Sequence, residues 1–154
     1  VRSSRRIRGL EVSTKADALG LCKHADGIAR SSWEVDIHSA LDPKRKPVMD
    51  CPEYADRMRR TEAGDYYDIP YGCLVAADVG HLFMAGRCIS AEHESQASLR
   101  IQQTCMSLGQ AAGTAAALSI EAGVSPRDLD ASKLVAQLQR DRAAIEPAFV
   151  LADA

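Results

Sequence analysis

The sequence SLGQAAGTAAALSIEAG occupies residues 107–123 and consists largely of Gly, Ala, Ser and Thr. We predict a helix over about 104–122, with Gly123 at the position where a helix commonly ends in the left-handed conformation. Gly109 and Gly113 are four residues apart and share one helix face. A face without bulk lets another backbone or a flat ligand approach closely, so we expect both glycines to contact a neighbouring backbone. Overpacking by Gly113→Leu should then cost on the order of 1–3 kcal/mol.

An apolar run precedes this helix. HLFMAG, residues 81–86, has the pattern of a buried strand, and the polar residues 87–103 are predicted to form a long connection. A helix that begins near Gln103 presents unpaired N–H groups and a partial positive charge, which suit phosphates or the electron-rich edge of a flavin. Taken alone, the small-residue helix is explained more simply by tight packing on a buried sheet.

The composition narrows the class of protein. Lys plus Arg is 19 and Asp plus Glu is 21, so the net charge of −2 gives no overall attraction to nucleic acid or to an anionic membrane. No apolar run approaches the roughly 20 residues that span a bilayer. The five cysteines include no CxxC pair, so we expect no metal site and reduced, mostly buried thiols in a cytoplasmic protein.

Short elements are predicted before the apolar run. Thr14 or Ser13 is expected to cap a short helix that reaches about Leu21. The alternation in SSWEVDIHSA, residues 31–40, predicts a strand. Residues 53–62 are at best helical, and YYDIPYGCLVA, residues 66–76, reads as extended with an interruption at Pro70.

After the small-residue helix, residues 125–145 predict a second C-terminal helix. Ser132 or Asp130 is positioned to cap it, and Leu134, Leu138 and Ile145 supply an apolar stripe. The mixture of short strands and helices predicts an α+β fold.

Several of these segments together resemble a family of FAD-dependent oxidoreductases. HLFMAGRCIS (81–90) and RIQQTCMSLGQAAGTAAAL (100–118) are similar to its AGR-x-x-S and T-C-x-x-x-GQAAGTAAA motifs. RSSRRIRG (2–9), WEVDIHSA (33–40) and YDIPYGCLV (67–75) are similar to further motifs of that family, in the same order. The resemblance covers nearly the whole chain.

The resemblance implies a set of cofactor contacts. The 81–86 strand would belong to a Rossmann-like FAD-binding sheet, and the helix start would point its N–H groups at the pyrimidine edge of the flavin. The FAD-binding residues implied in this way are Ala85, Gly86, Arg87, Ser90, Gln103, Thr104, Cys105 and Met106.

One family feature has no counterpart. No GxGxxG fingerprint, which holds the ADP half of FAD, occurs in the sequence. We therefore expect the C-terminal portion of a two-domain FAD-binding Rossmann-like flavoprotein, partnered by an N-terminal Rossmann portion of the same protein and able to self-associate. Residues 1–75 would be part of a substrate or cap region, residues 76–146 the C-terminal part of the FAD-binding domain, and residues 147–154 a tail.

Asp36 and His38 form the candidate catalytic pair. They are two residues apart, so on the predicted strand they project from the same face. A carboxylate beside an imidazole can shuttle a proton next to a flavin. The alternative is a solvated strand face.

Three arginines are candidates for binding an anionic substrate. Arg2 and Arg6 lie in a basic cluster that could also contact the pyrophosphate, and the alternative is a solvated charge cluster. By the resemblance, Arg100 is a candidate contact for substrate or cofactor. Cys105 at the helix start has the position of a thiol with a lowered pKa, although a packed small residue is the simpler role.

The resemblance implies an oxidoreductase that moves a hydride or an electron pair between FAD and a small organic substrate, with this chain supplying the flavin-side half of the cofactor site. The alternative is a non-catalytic binding or scaffold domain that keeps the flavoprotein fold without the cofactor.

Overall fold

The computed structural model of the protein describes residues 6–38 and 50–145. In that part of the chain, the elements in order are α1 (Lys15–Gly20), β1 (Gly27–Ser31), α2 (Pro52–Glu62), β2 (Tyr67–Pro70), α3 (His93–Leu99), α4 (Gln102–Ala122) and α5 (Ala131–Arg140). Single turns of 3-10 helix lie at Tyr71–Leu74, Gly86–Cys88 and Pro126–Asp128. This mixture of helix and strand confirms the α+β class.

The core forms where α4 packs against β1 and α5. β1 pairs with β2 in antiparallel fashion, with Ala29 opposite Ile69 and a β-bulge between Gly27 and Ala29. One hydrophobic cluster contains residues from both predicted regions, 1–75 and 76–146, among them the fully buried Ile69 and Leu108. A second, smaller cluster consists of Leu19, Val35, Tyr54 and Ala97.

The predicted bounds of α4 are confirmed, but the predicted orientation is wrong. Gly123 caps the helix with a φ of 65°. Gly109 and Gly113 are exposed, and an added Cβ at either would meet no described heavy atom within 4 Å beyond the helix's own backbone. Ala111 and Ala115, both 0% exposed, form part of the buried face instead. Two residues of separation turn a helix by roughly 200°, so the glycines point away from the core.

Because Gly113 is exposed in mid-helix, Gly113→Ala should raise the free energy of unfolding by about 0.5–1 kcal/mol. The methyl group restricts the unfolded chain and meets no neighbour in the fold. Thermal or urea denaturation measures the change, and a clear loss of stability would show that another surface covers this face.

The predicted buried strand at 81–86 is wrong. His81 is exposed and has a φ of 56°. The segment makes a single antiparallel bridge, from Phe83 to Val75, before the chain turns into the 3-10 helix at Gly86. A strand needs a hydrogen-bonded neighbour along its length, and this one has such a neighbour only around Phe83.

The segment 32–38 is also not a strand, because β1 ends at Ser31. Val35 is fully buried while Trp33 is 49% exposed, so the two do not share the face that their alternation predicts. The amide of Ile37 donates to the carbonyl of Val35 at 3.1 Å, which bends the chain locally.

The predicted long connection contains a helix. α3 buries Ser95, Gln96 and Ser98 beside Ala97 and Leu99. The Ser95 and Ser13 hydroxyls are 2.6 Å apart. Polar side chains with internal partners therefore form a buried helix face whose sequence looks solvent-exposed.

Two predicted caps are confirmed. Thr14 caps α1, where its hydroxyl accepts from the amide of Asp17 at 3.1 Å. Asp130 caps α5 by accepting from the amide of Ser132 at 2.9 Å. Leu134 and Leu138 of the predicted stripe are buried on α5, but the helix ends at Arg140, earlier than predicted, so Ile145 is buried outside it.

Candidate functional site

The start of α4 carries polar groups that the described fold leaves unpaired. Ile101 occupies the N-cap position and supplies no side-chain hydrogen bond to the first turn. The Thr104 side chain is 3% exposed, lines a cavity, and its hydroxyl makes no hydrogen bond within residues 6–38 and 50–145. Free amides and an unpaired hydroxyl at the positive end of a 21-residue helix favour an acceptor-rich ligand.

The turn at Gly86 lies against the same helix start. Gly86 has a φ of 68°, and a Cβ placed on it would lie 3.9 Å from the Cβ and Sγ atoms of Cys105. The left-handed backbone favours glycine at this position. Arg87 donates from Nε to the carbonyl of Arg100 at 3.2 Å, which holds the turn beside the residue that precedes α4. The structure thus brings together Gly86, Arg87 and Cys105.

Cys105 does not have the activated thiol that its helix position suggests. Burial raises the pKa of the Cys105 thiol, and this effect outweighs the lowering by Arg87. A raised pKa keeps the thiol protonated and poorly nucleophilic near neutral pH. The packed role is therefore the one that the geometry supports.

Asp36 and His38 do meet, although they are not on a strand. Asp36 Oδ1 lies 3.1 Å from His38 Nε2, and its Oδ2 lies 3.2 Å from Arg100 Nη2. Arg100 also donates to the Asp36 carbonyl at 3.1 Å. One carboxylate therefore links the imidazole to the arginine that precedes α4, an arrangement that can hold and transfer a proton.

Other predicted site residues do not join this group. Ser90 is 3% exposed and its backbone pairs with Cys73 and Ser13. Met106 is 68% exposed on the outer face of α4. Arg6 is exposed, and Arg2 lies outside the described residues. The remaining predicted residues border the site, Ala85 before the Gly86 turn and Gln103 on the wall of the cavity.

A cavity of about 510 Å³ adjoins the start of α4, and sequence reasoning missed it. Its wall combines the end of β1 and the residues after it with Tyr66, Gln103 and Thr104. Arg30 stacks on the ring of Tyr66, with its guanidinium carbon 4.9 Å from the ring centroid. These residues are 36 apart in sequence, and only the β1–β2 register brings them together.

A buried arginine supports one wall of the cavity. Arg57 is 0% exposed and donates from Nη2 to the carbonyl of Trp33 and from Nε to the carbonyl of Ala18, the latter at 2.7 Å. Ser98 Oγ donates to the same Trp33 carbonyl at 2.6 Å. Burial lowers the pKa of Arg57. Nothing in the polar sequence of α2 predicts that this arginine is inside.

Within residues 6–38 and 50–145, no group of three or more His, Cys, Asp or Glu side chains is placed to hold a metal ion. Over the same ranges, none of the helices combines the length and the hydropathy needed to cross a bilayer.

Comparison with known proteins identifies the family. The family model described as FAD dependent oxidoreductase matches residues 1–140. No curated protein and no solved structure matches the chain. Since the match extends over most of the 154 residues, the chain belongs to the FAD-dependent oxidoreductase family.

Proposed function

We propose that this chain supplies the flavin-side half of an FAD site in an oxidoreductase that acts on a small organic substrate. The observation that carries the proposal is the uncapped start of α4, with the unpartnered Thr104 hydroxyl inside it and the left-handed Gly86 beside it. The pyrimidine edge of a flavin offers acceptors that suit these donors.

The residues present fit this part of the cofactor. The first-turn amides of α4 and Thr104 would hold the flavin edge, while Gly86 lets the backbone approach closely because it carries no Cβ. Arg87 fixes the turn by its bond to Arg100. When bound, FAD would supply the capacity to take up a hydride or an electron pair.

The chain's own acid–base group is the Asp36–His38 pair. Asp36 orients the imidazole at 3.1 Å, and Arg100 fixes the carboxylate from the other side. The side chain of His38 is half exposed, so it can exchange a proton with solvent or with a bound substrate. We propose that this pair holds the proton that accompanies oxidation or reduction of the substrate.

The ADP half of FAD needs a glycine-rich strand–turn–helix. We propose that an N-terminal Rossmann portion of the same protein provides it, and that residues 76–146 complete that FAD-binding domain while residues 1–75 contribute to a cap. The exposed face of α4, with Met106, Gly109, Gly113 and Ile120, is the surface that such a portion would cover. All five cysteines are free, but Cys73 alone is buried, so the prediction of mostly buried thiols is wrong. Free thiols are typical of a reducing compartment, and we propose a cytoplasmic location.

The competing function is a scaffold domain that keeps this fold without the cofactor. The unpaired donors at the start of α4 favour the flavin site, because a helix end that only packs gains stability from a cap. Copurification of flavin with the whole protein would distinguish the two.

The direct test is a titration of the purified chain with FAD, FMN and ADP, followed by flavin fluorescence and by calorimetry. With the flavin-side anchor alone, FAD and FMN should bind weakly and with similar affinity, and ADP should not bind. Saturable FAD binding at micromolar affinity, much tighter than that of FMN, would contradict the half-site.

Thr104→Val tests, in the same assay, whether the Thr104 hydroxyl binds the flavin. It removes a hydroxyl that has no partner in the described fold, so the free energy of unfolding should stay the same or rise slightly. FMN affinity should fall about 3- to 10-fold. Thr114→Val, further along α4, is the control and should change neither quantity. Equal FMN affinity in both variants would remove Thr104 from the site.

A further inference from the structure

The cavity beside the start of α4 has an uneven charge. Among its lining residues that the structure describes, Arg30 is the one charged side chain and none carries a carboxylate; the others are Ser31, Ser32, Trp33, Gly64, Tyr66, Ile101, Gln103, Thr104, Ser107 and Ala144. The amino-terminal end of α4 adds a partial positive charge. The cavity therefore favours an anion.

Arg30 is available to bind that anion. Its guanidinium stacks on Tyr66, and, although burial raises the pKa of the Asp68 carboxyl overall, the Arg30 charge acts to lower that pKa. Asp68 lies opposite Arg30 across the β1–β2 pair, but its carboxylate accepts from the amide of His24 at 3.1 Å and is not in ion-pair contact with the guanidinium. A partly buried guanidinium that is held by an aromatic ring and has no carboxylate within ion-pair distance in the described residues can bind an incoming one in bidentate fashion.

Trp33 gives the cavity a flat apolar wall. Its side chain is 49% exposed, yet its carbonyl is fixed by both Arg57 and Ser98. Arg100 fixes the carbonyl of Asp36 three residues later. An irregular segment anchored at both ends presents its indole with little loss of entropy on binding, which favours stacking with a planar group.

We propose that this cavity binds a planar organic carboxylate, with the carboxylate on Arg30 and the planar group against Trp33. The volume of about 510 Å³ is in the range of small-molecule sites. The inference rests on the proposed function only in identifying this ligand as the substrate, since Thr104 lines the cavity and also belongs to the proposed flavin site.

Trp33 is the sole tryptophan in the chain, so its fluorescence reports on the cavity directly. The probes are benzoate, the neutral benzamide and the non-planar cyclohexanecarboxylate, each titrated into the whole chain without flavin. Benzoate should change the fluorescence saturably, and the other two should bind at least about 10-fold more weakly. No saturable response to benzoate, or equal affinities for benzoate and benzamide, would overturn the proposal.

Arg30→Gln should weaken benzoate binding at least about 10-fold and abolish the preference over benzamide. Arg59→Gln is the matched control, because Arg59 is 77% exposed on α2 and pairs with Asp56. Unchanged benzoate binding in Arg30→Gln would overturn the proposal. The readout needs no flavin, so the two proposals fail separately. If the unsubstituted chain bound FMN but not benzoate, this inference alone would be rejected; if it bound benzoate but not FMN, the flavin site alone would be rejected.

Discussion

Replacing Arg57 with Ala should lower the free energy of unfolding by on the order of 3 kcal/mol, because it empties a buried site and removes the donors to two backbone carbonyls. Arg57 is fully buried and bonds to the carbonyls of Ala18 and Trp33. It therefore connects α1 and α2 to the segment that carries Trp33 and Asp36. Chemical denaturation measures the loss.

Two further variants separate the packing of Arg57 from its hydrogen bonds. Arg57→Met keeps most of the aliphatic stem, so its free energy of unfolding should lie between those of the wild type and Arg57→Ala. Arg59→Ala, two residues away on the solvent side, should stay within about 0.5 kcal/mol of the wild type. If Arg57→Met were as stable as the wild type, the hydrogen bonds from Arg57 to the carbonyls of Ala18 and Trp33 would not contribute to stability.

The second large effect is expected from Ala115→Leu, which should destabilise by about 1–3 kcal/mol or more. Ala115 is 0% exposed on the face of α4 that packs into the core, where three additional carbon atoms have no space. Ala117→Leu is the control on the same helix, since Ala117 is exposed and should change stability by less than about 0.5 kcal/mol. Equal effects of both substitutions would show that the buried face of α4 is assigned wrongly.

The bounds of α4 could be predicted from sequence, but its orientation could not. Gly123 marks its end by a backbone preference that is local. The two faces offer no such signal, because Gly109 and Gly113 are about as small as Ala111 and Ala115. Without a contrast in hydrophobicity, only tertiary packing determines which face is buried.

The predicted strands at 81–86 and 32–38 failed for a different reason. Apolar runs and alternation describe which side chains can be buried, whereas a strand also needs a neighbour with matching hydrogen bonds. Phe83 finds a partner at one bridge, and the 32–38 segment is held by arginine side chains instead.

The candidate site was predictable in part. The pair Asp36–His38 and the approach of Gly86 to Cys105 follow from motifs that lie close in sequence or share a family resemblance. Arg30 and Tyr66 meet through the β1–β2 register, and the burial of Arg57 depends on partners 24 to 41 residues away. Neither arrangement leaves a pattern in a single sequence.

The measurement that tests the central claim most directly is a map of backbone amide chemical shifts during titration of the isotope-labelled chain with FMN. The account predicts that the saturable shifts concentrate at the Gly86–Cys88 turn and at the first turn of α4 from Gln102 to Cys105. It also predicts that they weaken together in Thr104→Val. Saturable shifts centred elsewhere in the chain, with these two turns unperturbed, would contradict the placement of the flavin.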